Sequence, residues 1–137
     1  MILFLDDDHF RAALAYQRMT PEERGDVIWC KTVNEAINVL WDYRDDLTKV
    51  MLEHDLNGED YVNIKRTDSG MELVRFIEGL YKTNMNEFLK YKKVRFIIHT
   101  WNNVAGIKMS QRLNNLGLDV HYVPFGMTGE MNYGRIQ

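Results

Sequence analysis

The chain lacks most of what would mark it as a specialised protein. Its one cysteine, Cys30, cannot form an internal disulfide. With 17 Lys and Arg against 20 Asp and Glu, the formal charge of -3 offers no cationic excess for a general nucleic-acid or anionic-membrane surface. Long apolar runs are missing as well, since MILFL at residues 1–5 is too short and lacks the basic flank of a secretory signal. No internal repeat, low-complexity tract or linker is found. A soluble, cytoplasmic protein that engages neither membranes nor nucleic acid in general is the expectation. What the chain does have is 45% hydrophobic content over 137 residues, enough for the core of one domain.

Short apolar runs alternate with helical patterns. MILFL (1–5), VIWC (27–30), KVMLEH (49–54), VRFIIH (94–99) and DVHYV (119–123) have the length and the β-branched and aromatic content of buried strands. Segments 9–19, 32–45, 70–83 and 104–117 carry apolar residues at helical spacing, as with Leu73, Phe76, Ile77 and Leu80. TVNE at 32–35 is a capping box, with Thr32 at the N-cap and Glu35 reaching back, and Gly117 suits a left-handed C-terminal cap. Strict alternation predicts right-handed crossovers and a parallel, three-layer α/β sheet of five strands. The eight methionines and Cys30 read as core filling, and His9 and His121 carry no signal.

Ligands of such sheets bind at the carboxyl ends of the strands. Asp6, Asp7 and Asp8 follow the first strand, His54 and Asp55 end the third, and His99, Thr100 and Asn102 follow the fourth. Parallel strands would bring all of them to one edge. Two groups as costly to desolvate as His54 and Asp55 point to a site there. Plainer roles compete: Asp8 as the cap of the first helix, Thr100 as a turn cap, and either histidine as a satisfied structural residue. His54 and Asp55, adjacent in the chain, can face the same way only if the strand has already ended.

These residues resemble the receiver domains of two-component signalling, whose CheY-like, flavodoxin-type sheet has the order 2-1-3-4-5. Asp6 and Asp7 match the acidic pair, Asp55 the phosphoacceptor, Thr100 the hydroxyl residue, and Asn57 lies where a main-chain carbonyl meets the metal. Three features depart from that pattern. Val123 stands in place of the lysine before proline, the loop NGEDYVNIKRTDSG is long, and the tail GMTGEMNYGRIQ shows no helix after the fifth strand. The chain is therefore divided into a receiver-like domain at 1–125, its fifth helix missing or degenerate, and a glycine-rich tail at 126–137. The shape LDD…HD…SG…IHT-x-N…M, carried by Leu5, Asp6, Asp7, His54, Asp55, Ser69, Gly70, His99, Thr100, Asn102 and Met109, is most similar to the divergent cyclic-phosphate-processing receivers of phages and bacteria.

The resemblance implies a small phosphorylated ligand. Three crowded carboxylates are relieved by a divalent cation with oxygen ligands, most naturally Mg²⁺, for which Asp6, Asp7 and Asp55 are the candidate ligands. His54 and His99 are candidates to exchange a proton, with Asp55 completing the catalytic set. Thr100, Asn102, Lys65, Arg66 and Ser69 are candidate substrate contacts, Lys65 or Arg66 standing in for the absent lysine ahead of a helix N-terminus. Trp101 would either stack on a base or cover the sheet edge. Losing the fifth helix would leave apolar sheet beside the segment 9–19, to be covered by the tail (Met127, Met131, Tyr133, Ile136) or by a second subunit in a homodimer. Two classes of function stay open: a metal-assisted phosphoesterase and a non-catalytic pseudo-receiver that binds a protein or nucleotide. A conventional phosphorylated receiver ranks behind both.

Overall fold

A computed structural model describes residues 1–124. Five four-residue strands, β1 (Ile2–Leu5), β2 (Val27–Cys30), β3 (Lys49–Leu52), β4 (Arg95–Ile98) and β5 (Asp119–Tyr122), form one sheet in the order β2-β1-β3-β4-β5. Every neighbouring pair is parallel. The expected receiver topology is thus the one observed. The helices are α1 (His9–Gln17), α2 (Pro21–Arg24), α3 (Val33–Asp42), α4 (Met71–Thr83), α5 (Met85–Phe88) and α6 (Asn103–Asn115), with a 3₁₀ turn at Leu89–Lys93. Among the described residues no helix is long and apolar enough to cross a membrane.

Alternation along the strands builds two cores of unequal size. Leu3, Leu5, Val50, Leu52, Phe96 and Ile98 face the larger one, closed by Leu40 of α3, Ile77 of α4 and Met109 and Leu113 of α6. Ile2, Phe4, Met51 and Ile97 face the other side, where Ala15 and nearby Met19 pack on them from the α1 side. That second face carries an apolar groove of about 440 Å³ whose lining includes Phe4, Ala12, Tyr16, Val27 and Trp29. The expectations for a fifth helix and for the tail at 126–137 fall outside the described residues.

Local signals set the helix starts. Asp8 caps α1 by accepting from the amides of Phe10 and Arg11, and the Thr32–Glu35 box is formed in both directions. Gly117, at φ +81°, provides the left-handed residue after α6. Three elements were not expected: α2, α5 and the 3₁₀ turn. The first has a clear signal, because Thr20 and Glu23 flank Pro21 in a second reciprocal capping box.

The boundary that matters for the site is the end of β3. It stops at Leu52, two residues before the expected 54. The Glu53 amide still donates to the Leu5 carbonyl, but the His54 carbonyl is taken by the Gly70 amide instead of a strand. Gly70 fits because it has no side chain, since a Cβ there would lie 2.2 Å from the Glu53 carbonyl oxygen. Gly79, inside α4, has nothing within 4 Å of its missing Cβ. Urea denaturation should therefore separate two glycine-to-alanine changes. Gly70→Ala is expected to cost at least ~2 kcal/mol, because main chain must move, and Gly79→Ala to gain up to ~1 kcal/mol from helix propensity. Equal effects would show that the Gly70–Glu53 approach does not constrain the turn.

Candidate functional site

The site is built where β1 and β3 end. Register aligns Leu5 with Leu52 and Leu52 with Ile98, so Asp6, Glu53 and His99 emerge side by side. All three are buried, and their ligand atoms lie within 4.8 Å of one another. Asp6 is fully buried, and no charge survives there without partners. Arg11 supplies a two-pronged grip, Nε donating to Oδ2 at 2.8 Å and Nη2 to Oδ1 at 2.9 Å. His99 Nε2 meets Oδ2 at 3.0 Å, and the Asp8 amide donates to Oδ1. Burial works to raise the Asp6 pKa, but the hydrogen bonds and charges of His99 and Arg11 prevail and bring it down to about 2. Glu53 goes the other way. Burial lifts its pKa, aided by the charge of Asp6, against the pull of His99, Thr100 and Arg11.

Asp55 is held by as many hydrogen bonds. Its Oδ1 accepts from His54 Nδ1 at 2.7 Å, the Asn102 amide at 3.1 Å and the Val62 N–H at 3.1 Å, and its Oδ2 from the Tyr61 N–H at 2.6 Å. The early end of β3 allows His54 and Asp55 to touch. The loop after Asp55 bends back to supply the amides at the expense of left-handed backbone at Asn57 (φ 63°) and Tyr61 (φ 53°), a strained choice for residues with side chains. Gly58, also left-handed, turns its N–H onto Asp7 Oδ2.

A cavity of about 230 Å³ opens above these groups. Its walls are Asp7, Asp8, Glu53, Asp55, Glu59, Asp60, Arg11, Gly58 and Trp101, which is six carboxylates and one guanidinium. An anion alone would be repelled by that wall. Hard carboxylate oxygens at this density suit a divalent cation such as Mg²⁺ or Ca²⁺, so the donor set fits the metal expected of the fold.

The predicted residues divide into three groups. Asp7 and Asp55 line the cavity, with Trp101 half-exposed at its wall. Asp6, His54, His99, Thr100 and Asn102 are buried and do not line it. Asn102 reaches it through Asp55, and so does His54, whose Nε2 finds no hydrogen-bond partner among the described residues. Ser69 is buried with its hydroxyl on the Arg66 carbonyl. Lys65 is exposed, and Arg66, also exposed, is spent on Glu59 and Asp68. Arg11 and Glu53 were missed. A signal for Arg11 was present, since it stands three and four residues after Asp8 and Asp7 on a helical stretch.

Comparison with known proteins agrees with this fold. The family model of the cyclic-phosphate processing receiver domain matches residues 1–115. The chain belongs to that family. Solved receivers share its fold at low identity. The signal receiver domain of a putative LuxO repressor protein from Vibrio parahaemolyticus is 18% identical, with TM-score 0.58, covering 94% of this chain and 80% of that one. The response regulator domain of Thermotoga maritima CheB is 13% identical, with TM-score 0.55 over 98% and 84%. A Burkholderia pseudomallei response regulator with a phosphorylated aspartic acid, calcium ion and citrate is 18% identical, with TM-score 0.54 over 94% and 61%. Curated proteins give no match.

Asp6 gives the fold an acid-sensitive contribution. A carboxylate depressed from 3.8 to about 2 in the fold contributes roughly 2 kcal/mol above its unfolded pKa, and that is lost as pH falls through the folded one. Urea denaturation between pH 6 and pH 2 should show wild type losing more stability below pH 4 than Asp6→Asn. Parallel curves would remove Asp6 as the acid-sensitive group.

Proposed function

We propose that this receiver is a metal-assisted phosphoesterase whose substrate is a small cyclic phosphate or a nucleotide-derived phosphate ester, bound in the acidic cavity at the ends of β1 and β3. The observation that carries the reading is the wall of six carboxylates, which favours a phosphate only in company with a divalent cation. Membership of the cyclic-phosphate processing family supports the substrate class.

Asp7 and Asp55 would hold the cation, for which Mg²⁺ is the natural candidate. Such an ion supplies charge neutralisation and Lewis-acid polarisation of a phosphoryl oxygen. The chain's own part is orientation. His54, bonded to Asp55, fixes that carboxylate and acts through it. His99 does the same for Asp6. These are positioning roles, because both imidazoles lie behind the carboxylates they hold. Trp101, half-exposed at the cavity wall, offers a face on which a base can stack.

One observation favours binding without turnover: four donors hold Asp55, three on Oδ1 and one on Oδ2, which leaves Oδ2 room for a cation and little freedom for anything else. The same engagement, with valine at position 123, argues against a conventional phosphorylated receiver. Screening 2′,3′-cyclic nucleotides, 3′,5′-cyclic nucleotides and ADP-ribose cyclic phosphate by ³¹P NMR, with Mg²⁺ and with EDTA, decides between the classes. New phosphomonoester signals that need Mg²⁺ are expected to vanish in Asp55→Asn and to form about 10- to 100-fold more slowly in His54→Ala, as for loss of an outer-shell partner. Unchanged spectra accompanied by broadened ligand lines would assign the binding module.

A further inference from the structure

A positive charge in the first turn of a helix opposes the macrodipole, which favours anions there. Arg11 is the third residue of α1 and sits in that turn. Its neighbours explain the placement. Beyond the two-pronged bond to Asp6, its guanidinium lies 3.5 Å from Glu53, 3.6 Å from Asp8 and 3.8 Å from Asp7. One side chain therefore faces four carboxylates, and it cannot give up its charge. Hydrogen bonds and charges from those acids, Asp6 foremost, hold its pKa above the ordinary range against the opposing effect of burial.

We propose that Arg11 is the resident counter-ion of the acidic cluster and competes with a divalent cation for it. This inference rests on the reading of the cavity as a cation site. The guanidinium takes both oxygens of the buried Asp6 and faces Asp7 Oδ1 and Glu53 Oε2, two of the carboxylates that wall the cavity a cation would enter. A cation entering the cavity gains less from these carboxylates than it would from uncompensated ones, and Arg11 must yield part of its contact. Arg11 in this way lets the cluster fold without metal and sets a ceiling on metal affinity. A cation that arrives already bridged to a phosphate has an advantage over the free ion, because the displaced guanidinium then finds a phosphoryl oxygen.

Isothermal titration with MgCl₂ alone, together with thermal melting in EDTA and in Mg²⁺, tests this on wild type, Arg11→Gln and Arg11→Lys. Arg11→Gln is expected to bind Mg²⁺ at least ten times more tightly than wild type and to melt lower in EDTA, with Mg²⁺ restoring much of the loss. Arg11→Lys keeps the charge without the fork, so it should stay folded in EDTA and still bind Mg²⁺ more tightly than wild type. Equal or weaker Mg²⁺ binding by the folded variants would overturn the competition while leaving the cation site standing. Absence of Mg²⁺ binding by all three proteins would overturn the cation reading itself, and this inference with it.

Discussion

The structure turns on a carboxylate that cannot be buried alone. Asp6 lies at the end of the first strand with no exposure to water, where an unpaired charge would shift its pKa or unfold the sheet edge. Three partners prevent this: Arg11 from α1, His99 from the end of β4, and the Asp8 amide from the turn between β1 and α1. The pairing therefore fixes the direction of α1 and the position of the β4 end in one step. It also makes that corner polar beside a core built mainly of leucine, valine, isoleucine, methionine and phenylalanine.

Backbone geometry then places the second carboxylate. Had β3 run to 54 as its apolar pattern suggested, His54 and Asp55 would have pointed to opposite faces. Instead the His54 carbonyl pairs with the Gly70 amide, and the two side chains meet at 2.7 Å. The following loop wraps over Asp55, and two non-glycine residues adopt positive φ to bring its amides inward. The left-handed backbone beside Asp55 accompanies the two loop amides, of Tyr61 and Val62, that donate to its carboxylate, so the loop conformation and the Asp55 contacts go together.

Much of this was legible in the sequence, for identifiable reasons. The sheet follows from short β-branched runs separated by helical periods, a local pattern that needs no knowledge of partners. Asp8, Thr32 and Gly117 worked as read because capping is a contact within one turn. Asp7 and Asp55 were placed at one edge because strand ends in a parallel sheet converge by topology, and both line the cavity there. Arg11 and Glu53 were missed for opposite reasons. Glu53 looked like the tail of an apolar run, and Arg11 like a charge on an exposed helix, yet both are drawn in by a carboxylate on another element. Lys65 and Arg66 show the converse. Their place before a helix suggested an anion grip, but Arg66 answers to the acids beside it, which composition in the same loop could have signalled.

The position of positive charge separates this chain from the signalling receivers it resembles. In those, the lysine after the fifth strand faces the phosphoacceptor. Here that place is held by Val123, which packs against the apolar cluster of Phe4, Met51 and Ile97. The guanidinium at this edge comes from α1, where Arg11 bonds both oxygens of Asp6. Among the described residues no cation on the β5 side stands beside Asp55, whose Oδ1 carries three donors and whose Oδ2 carries one, and the cavity beside Asp7 stays open to a cation and its anion. Positive charge at the sheet edge is thus placed on the first helix, beside the buried carboxylate of the first strand, and position 123 contributes an apolar contact in its stead.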